Sequence, residues 1–171
     1  MSAIRELRSD RRGAVYVEFL IVFLPLFIMF MSLVQLAFVE IANLVTKHAA
    51  VGACRAAIVV LPDNPQLYSK SEVNHADGDR LDAIKAAAKA RLLAVSVNPN
   101  VDVTFPSSPE GTDNKTSFAA GDTVRVQLAF DYPCKIPIGS RFVCNFLTLH
   151  KKLKAEAAMP LQSASYKYED E

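Results

Sequence analysis

Gly13-Ala14-Val15-Tyr16-Val17-Glu18 opens an apolar run, and the reading of that run decides the fold. From Ala14 to Val39 the only ionisable side chains are Tyr16 and Glu18. A helical residue rises about 1.5 Å, so the run would reach roughly 39 Å as an α-helix. The hydrocarbon core of a bilayer is about 30 Å thick. The pattern predicts a transmembrane helix over residues 14–39 in contact with membrane lipid, with one carboxylate near its start.

Residues 1–13 form a short basic leader, with Arg5, Arg8, Arg11 and Arg12 against Glu6 and Asp10. Past the run, Glu40 comes first, and only Lys47 and Arg55 follow before residue 60. Lys and Arg favour the cytoplasmic side of a membrane, while acids hardly count. The asymmetry puts the leader in the cytoplasm and residues 40–171 outside it. A cleaved secretory signal would need an apolar core of only about 7–15 residues and a small-residue cleavage site. This run is longer, and no A-x-A site closes it. Pro25 removes one backbone donor inside the run, a change that membrane helices tolerate.

Nothing breaks the helix at Val39. Residues 40–60 contain no Pro and one Gly, and Ile41, Leu44, Val45, His48, Val51 and Gly52 recur at helical spacing. We therefore expect one helix from Ala14 to about Val60, whose second part continues outside the membrane and packs on the remainder of the chain. Its stretch from Ala49 to Ala57 is rich in small side chains, and Pro62 and Pro65 end it.

Residues 61–171 read as an α+β head. After a polar connection over 61–78, Asp77, Asp79 and Asp82 cluster near His75. A calcium loop needs alternating oxygen ligands over about twelve residues and a closing Glu, both lacking here. Asp79 is instead expected to cap the next helix, over about 80–96. Leu81, Ile84, Ala88, Leu92 and Val95 line one face of that helix. Three strands follow. Val101, Val103 and Phe105 alternate with polar residues, as do Val124, Val126, Leu128 and Phe130, and then Leu153, Ala155, Ala157, Met159 and Leu161. One wet and one buried face fit an antiparallel sheet covered by helices on one side.

Of the three cysteines, Cys134 and Cys144 lie between the last two strands. Outside the cytoplasm oxidation is permitted, so these two are candidates for a disulfide; a reduced buried pair is the alternative. Cys54, on the helix, reads as a small buried apolar side chain.

At 171 residues the chain holds one domain plus a membrane segment, and a net charge of +1 provides no field for nucleic acid. The only histidines are His48, His75 and His150. There is no H-E-x-x-H, no C-x-x-C and no Gly-rich phosphate loop. No metal, cofactor or catalytic residue is therefore expected. His150, Lys151, Lys152 and Lys154 make a small basic patch, read as a solvated strand face.

Arg11-Arg12-Gly13-Ala14-Val15-Tyr16-Val17-Glu18-Phe19, running into Leu24-Pro25-Leu26, resembles the TadE-like family, pilin-like (pseudopilin) proteins of the Flp/Tad pilus. The match is specific over about residues 11–39; Ala155-Glu156-Ala157-Ala158-Met159 also looks like the family's end, far less specifically. The resemblance implies a prepilin peptidase cutting between Gly13 and Ala14, which leaves Glu18 at the fifth position of the mature chain. It also implies subunit docking through the helix, with Glu18 and Pro25 on the docking segment, and pilin-like subunits or Tad machinery as partners. A charge at the bilayer centre costs about 2.5–3.5 kcal/mol on insertion scales. Glu18 can snorkel, pair with Arg11 or Arg12, or compensate the new ammonium at Ala14, its own or a neighbour's. Opposite charges about 4 Å apart attract by about 4 kcal/mol at an effective dielectric of 20.

The expected function is that of a non-enzymatic, pilin-like subunit in a bacterial inner membrane, with its N-terminus cytoplasmic and its head periplasmic or extracellular. A membrane-anchored extracytoplasmic binding or sensor domain that never polymerises is the alternative, and a tethered enzyme is a third reading.

Overall fold

The computed structural model describes residues 12–145 and 147–162. The basic leader up to Arg11 and the tail beyond Gln162 lie outside the described residues. Helix α1 runs unbroken over Arg12–Val60, 49 residues, with Pro25 inside it. A 3-10 turn (Pro65–Tyr68) leads to α2 (Gly78–Leu92). Strands β1 (Val101–Thr104) and β2 (Thr123–Pro133) follow, then the one-turn helix α3 (Ser140–Val143) and β3 (His150–Pro160). The class is α+β, with a long apolar N-terminal helix, a further helix and a three-stranded antiparallel sheet.

The chain divides into two compact units. One comprises α1 up to Phe38 together with Cys134–Leu149; the other comprises Val39–Pro133 and the chain from His150.

The second unit is built on β2, central in the order β1-β2-β3. Val124, Val126, Leu128, Phe130 and Tyr132 are buried, while the residues between them are partly wet. This strict period of two puts all five on one face. Phe130 stands opposite Val101 on one side and Leu153 on the other; Leu128 likewise faces Val103 and Ala155. Such cross-strand apolar pairs fix the register, because a one-residue slip would turn the whole set to solvent.

The face of α1 that packs here is not the one its larger apolar residues suggest. Ile41 is 51% exposed and Leu44 65%, and His48 is also exposed. Val39, Ala42, Thr46, Ala49, Ala50, Ala53, Cys54, Ala57 and Val60 are buried instead. Small side chains let the helix backbone come close to its neighbours, and that close approach wins over the bulk of Ile41 and Leu44. The Cys54 thiol donates to the Val124 carbonyl at 3.5 Å. At Gly52 a Cβ would stand 2.6 Å from Arg91 Nη1 of α2, so the guanidinium occupies the space of a side chain.

Helix α2 also departs from expectation. Asp77, not Asp79, is at its N-cap, and no side-chain cap bond forms. Gly78 at φ +46° turns the chain into the helix early, which places Asp79 in the first turn. There its charge suits the positive end of the helix, and its carboxylate accepts from Ser69 Oγ. The helix ends at Leu92 rather than Ser96; the β-branched and polar run Val95-Ser96-Val97 is weak helix material. Ile84, Ala88 and Leu92 are buried as the periodicity requires, but Leu81 and Val95 are only partly covered.

Arg80 takes the remaining core position. It is fully buried, donates to the Val60 carbonyl, and reaches the carbonyls of Asp63 at 2.9 Å and Ser71 at 3.3 Å. Its guanidinium lies 4.7 Å over the Tyr68 ring. Val60 is the last residue of α1, and its carbonyl otherwise accepts only a long bond from the Asp63 N–H at 3.4 Å, so Arg80 completes it at the pole where a cation is favoured.

Candidate docking surface

The candidate surface lies on the first unit. Here α1 turns its large side chains outward: Tyr16 is 72% exposed, Val22 72% and Phe30 55%. Residues Val15–Val60 contain a stretch long and apolar enough to cross a membrane.

Two stripes run along this part of the helix. Phe19, Phe23 and Phe27, four residues apart, stack in a ladder with centroids 5.2 and 5.6 Å apart. The sequence reading missed this ladder, although the i, i+4 aromatic spacing is its signal. The second stripe forms a shallow groove lined by Leu20, Ile21, Leu24, Pro25, Ile28 and Ser32, with Phe142 at its C-terminal end.

Gly13 and Ala14 are in helical conformation, and Gly13 is exposed with open space around its Cα. Glu18 is exposed and, among the described residues, makes no ion pair or hydrogen bond. Pro25 is exposed and lies two turns further along the same face, where i and i+7 align. The structure thus places Glu18 and Pro25 on one stripe without direct contact.

Cys134 and Cys144 are joined in a disulfide, ten residues apart. The loop they close is seated on α1 by a residue that sequence reasoning passed over. Gln35, fully buried, accepts from the Ile136 N–H at 2.9 Å and donates to Cys144 Sγ at 3.9 Å. It is the only carboxamide between Ala14 and Val39, and that was the available signal. Gly139 permits the close approach: a Cβ there would stand 2.9 Å from the Met31 carbonyl carbon and 3.0 Å from Gln35 Cβ. Further backbone bonds close within the loop. Ser140 N–H donates to Ile136 C=O, Cys144 N–H to Ser140 C=O, Cys134 N–H to Leu149 C=O, and Leu149 N–H to Asn145 C=O.

In the second unit a mixed pocket is lined by Lys47, Val51, Glu110, Gln127, Lys154 and Glu156. Arg125 and the Glu110 N–H both bond to Glu156. The opposed charges leave no single-sign site there. Among the described residues no three His, Cys, Asp or Glu side chains converge as metal ligands would.

No protein-family model, curated protein or solved structure matches the chain.

Proposed function

We propose that this chain is a pilin-like (pseudopilin) subunit of the TadE-like type, anchored in a bacterial inner membrane with its N-terminus in the cytoplasm. It acts in assembly of a Tad/Flp-type pilus or a related secretion machine, through helix–helix contacts along α1. One observation carries the reading. A single unbroken helix turns most of its large apolar side chains outward over its first part, bears one acid there, and then buries mainly small residues in a folded α+β unit. A soluble domain would not expose a surface of this kind, whereas lipid and neighbouring apolar helices would cover it.

The chemistry assigned to Glu18 follows from its position. Hydrolysis of the Gly13–Ala14 peptide leaves a carboxylate on Gly13 and an ammonium on Ala14. An ammonium close to Glu18 in a low-dielectric setting is attracted by about 4 kcal/mol at 4 Å, enough to select a helix register.

Mass spectrometry of the native N-terminal peptide tests the processing: a chain that starts at Ala14 supports it, and an intact Met1 in assembled material sinks it. Glu18→Ala tests the docking. Loss of assembly at unchanged protein level supports the proposal. Normal assembly and secretion would favour a non-polymerising, membrane-anchored binding or sensor domain.

A further inference from the structure

We infer that the disulfide-closed loop Cys134–Leu149 is a membrane-interface anchor that rests in the headgroup and upper acyl region of the bilayer face from which α1 emerges. The inference rests on the reading that α1 crosses a bilayer.

Height along the helix is the first observation. The loop is fixed at Met31–Gln35 through the Gln35 hydrogen bonds and the Gly139 contact. From Gly13 to Met31 an α-helix rises about 27 Å. A hydrocarbon core of about 30 Å that begins near Gly13 therefore ends at the level of the loop. The loop sits at the boundary and not in open water.

Its surface chemistry is the second. Leu147 is 88% exposed, Phe142 68% and Ile138 41%, in the same short segment as Lys135 and Arg141. In water such a set would be costly. At an interface the apolar side chains enter the acyl boundary while cations stay among the phosphates. Phe142 also borders Ile28, Met29 and Ser32, so its ring continues the apolar surface of the helix.

The backbone is the third. Non-helical chain is tolerated near hydrocarbon only where its polar groups are satisfied within the protein. Among the described residues, bonds inside the loop and the Gln35 carboxamide supply such partners for Cys134, Ile136, the turn from Ser140 to Cys144, and Leu149.

The chain contains no Trp, so one introduced Trp reports a single position. We would prepare the full chain in phospholipid nanodiscs as Leu24→Trp, Phe142→Trp and Leu67→Trp, with the disulfide intact. Lipids brominated high or deep on the acyl chain give the depth, and acrylamide gives access from water. Leu24→Trp should be quenched most by deep bromine, and Leu67→Trp by acrylamide alone. Phe142→Trp should be quenched several-fold more by shallow than by deep bromine. Acrylamide quenching of Phe142→Trp equal to that of Leu67→Trp, without bromine quenching, would overturn the inference. Shielding from both quenchers would also overturn it and would point to a second copy on the loop. If Leu24→Trp itself escapes lipid bromine, the spanning helix is at fault and the loop falls with it.

Discussion

Replacing Arg80 by Met should loosen the end of α1 from the rest of the second unit. Met keeps most of the aliphatic stem and removes the charge and every donor. Of the three carbonyls that Arg80 serves, those of Asp63 and Ser71 belong to partly exposed residues and can turn to water, while that of Val60 belongs to a buried one. Without Arg80 the Val60 carbonyl keeps only the long bond from the Asp63 N–H at 3.4 Å, and a poorly satisfied buried acceptor costs about 1–3 kcal/mol. Loss of the cation over Tyr68 adds about 0.5–2 kcal/mol. Relief from holding a charge in the core works the other way, because desolvating a cation costs several kcal/mol of its own. The balance is a net loss of about 2 kcal/mol, a large part of the roughly 5–15 kcal/mol that holds a domain together. With a urea slope of about 1–3 kcal/mol per molar, the midpoint should fall by about 1 M.

Cys54 supplies the assay. Burial pushes its thiol up to about 11, so in the folded chain it is protonated as well as covered. The other two cysteines are tied in the disulfide, so pulse labelling with a maleimide across a urea series reads the opening of this unit alone. The control is Arg91→Met. Arg91 Nη1 bonds the Ala87 carbonyl of its own helix and its guanidinium packs over Gly52, but among the described residues it serves no carbonyl of another element, so a smaller change than for Arg80→Met is expected. A midpoint for Arg80→Met equal to that of the unaltered chain, or a larger effect in Arg91→Met, would refute the reasoning.

Gly139→Ala should destabilise the seat of the disulfide loop by about 1–3 kcal/mol, since backbone rather than a flexible side chain stands in the way; faster reduction of Cys134–Cys144 by dithiothreitol, followed by mass, checks it. Leu128→Ala, at the centre of the sheet face, should cost about 2–5 kcal/mol in the same Cys54 assay. Asp122 provides the pH test. The Lys115 ammonium and the Ala119 N–H hold its carboxyl below the usual 3.8, so its contribution is present above that value and is lost as pH falls through the lower folded value. Asp122→Asn should therefore lose less stability on acidification below about pH 4 than the unaltered chain, read as the pH dependence of the urea midpoint.

Periodicity made most of the fold legible. The two-residue alternation of β2 and β3 and the unbroken run from Ala14 to Val60 each correspond to an observed element. What the sequence hid was contact chemistry. The small-residue stretch Ala49–Ala57, with Cys54 in it, is largely buried as its composition suggested, but the helical spacing of Ile41 and Leu44 pointed to a face that stays exposed. Arg80 looked like the polar start of a helix, because nothing in a one-dimensional pattern places three backbone carbonyls around a guanidinium. For the candidate surface, Glu18, Pro25, Cys134 and Cys144 stood out by type and spacing. Gln35 and Gly139 did not, because their partners are more than a hundred residues away in the chain.

A seated loop at Met31–Gln35 also changes what Glu18 can do. An apolar run of roughly 39 Å in a core of about 30 Å has slack, and a free helix could slide until its acid reached the headgroups. A loop held at the outer interface removes that slack. Counting back from Met31, Glu18 would then lie about 10 Å inside the inner boundary, about two thirds of the way from that boundary to the bilayer centre. A carboxylate there pays part of the roughly 2.5–3.5 kcal/mol that a charge costs at the centre, and only a partner within reach can offset it. On the proposed reading the loop would turn the depth of Glu18 from a matter of slippage into a constraint, and a fixed carboxylate with no partner among the described residues would make one docking register better than its neighbours.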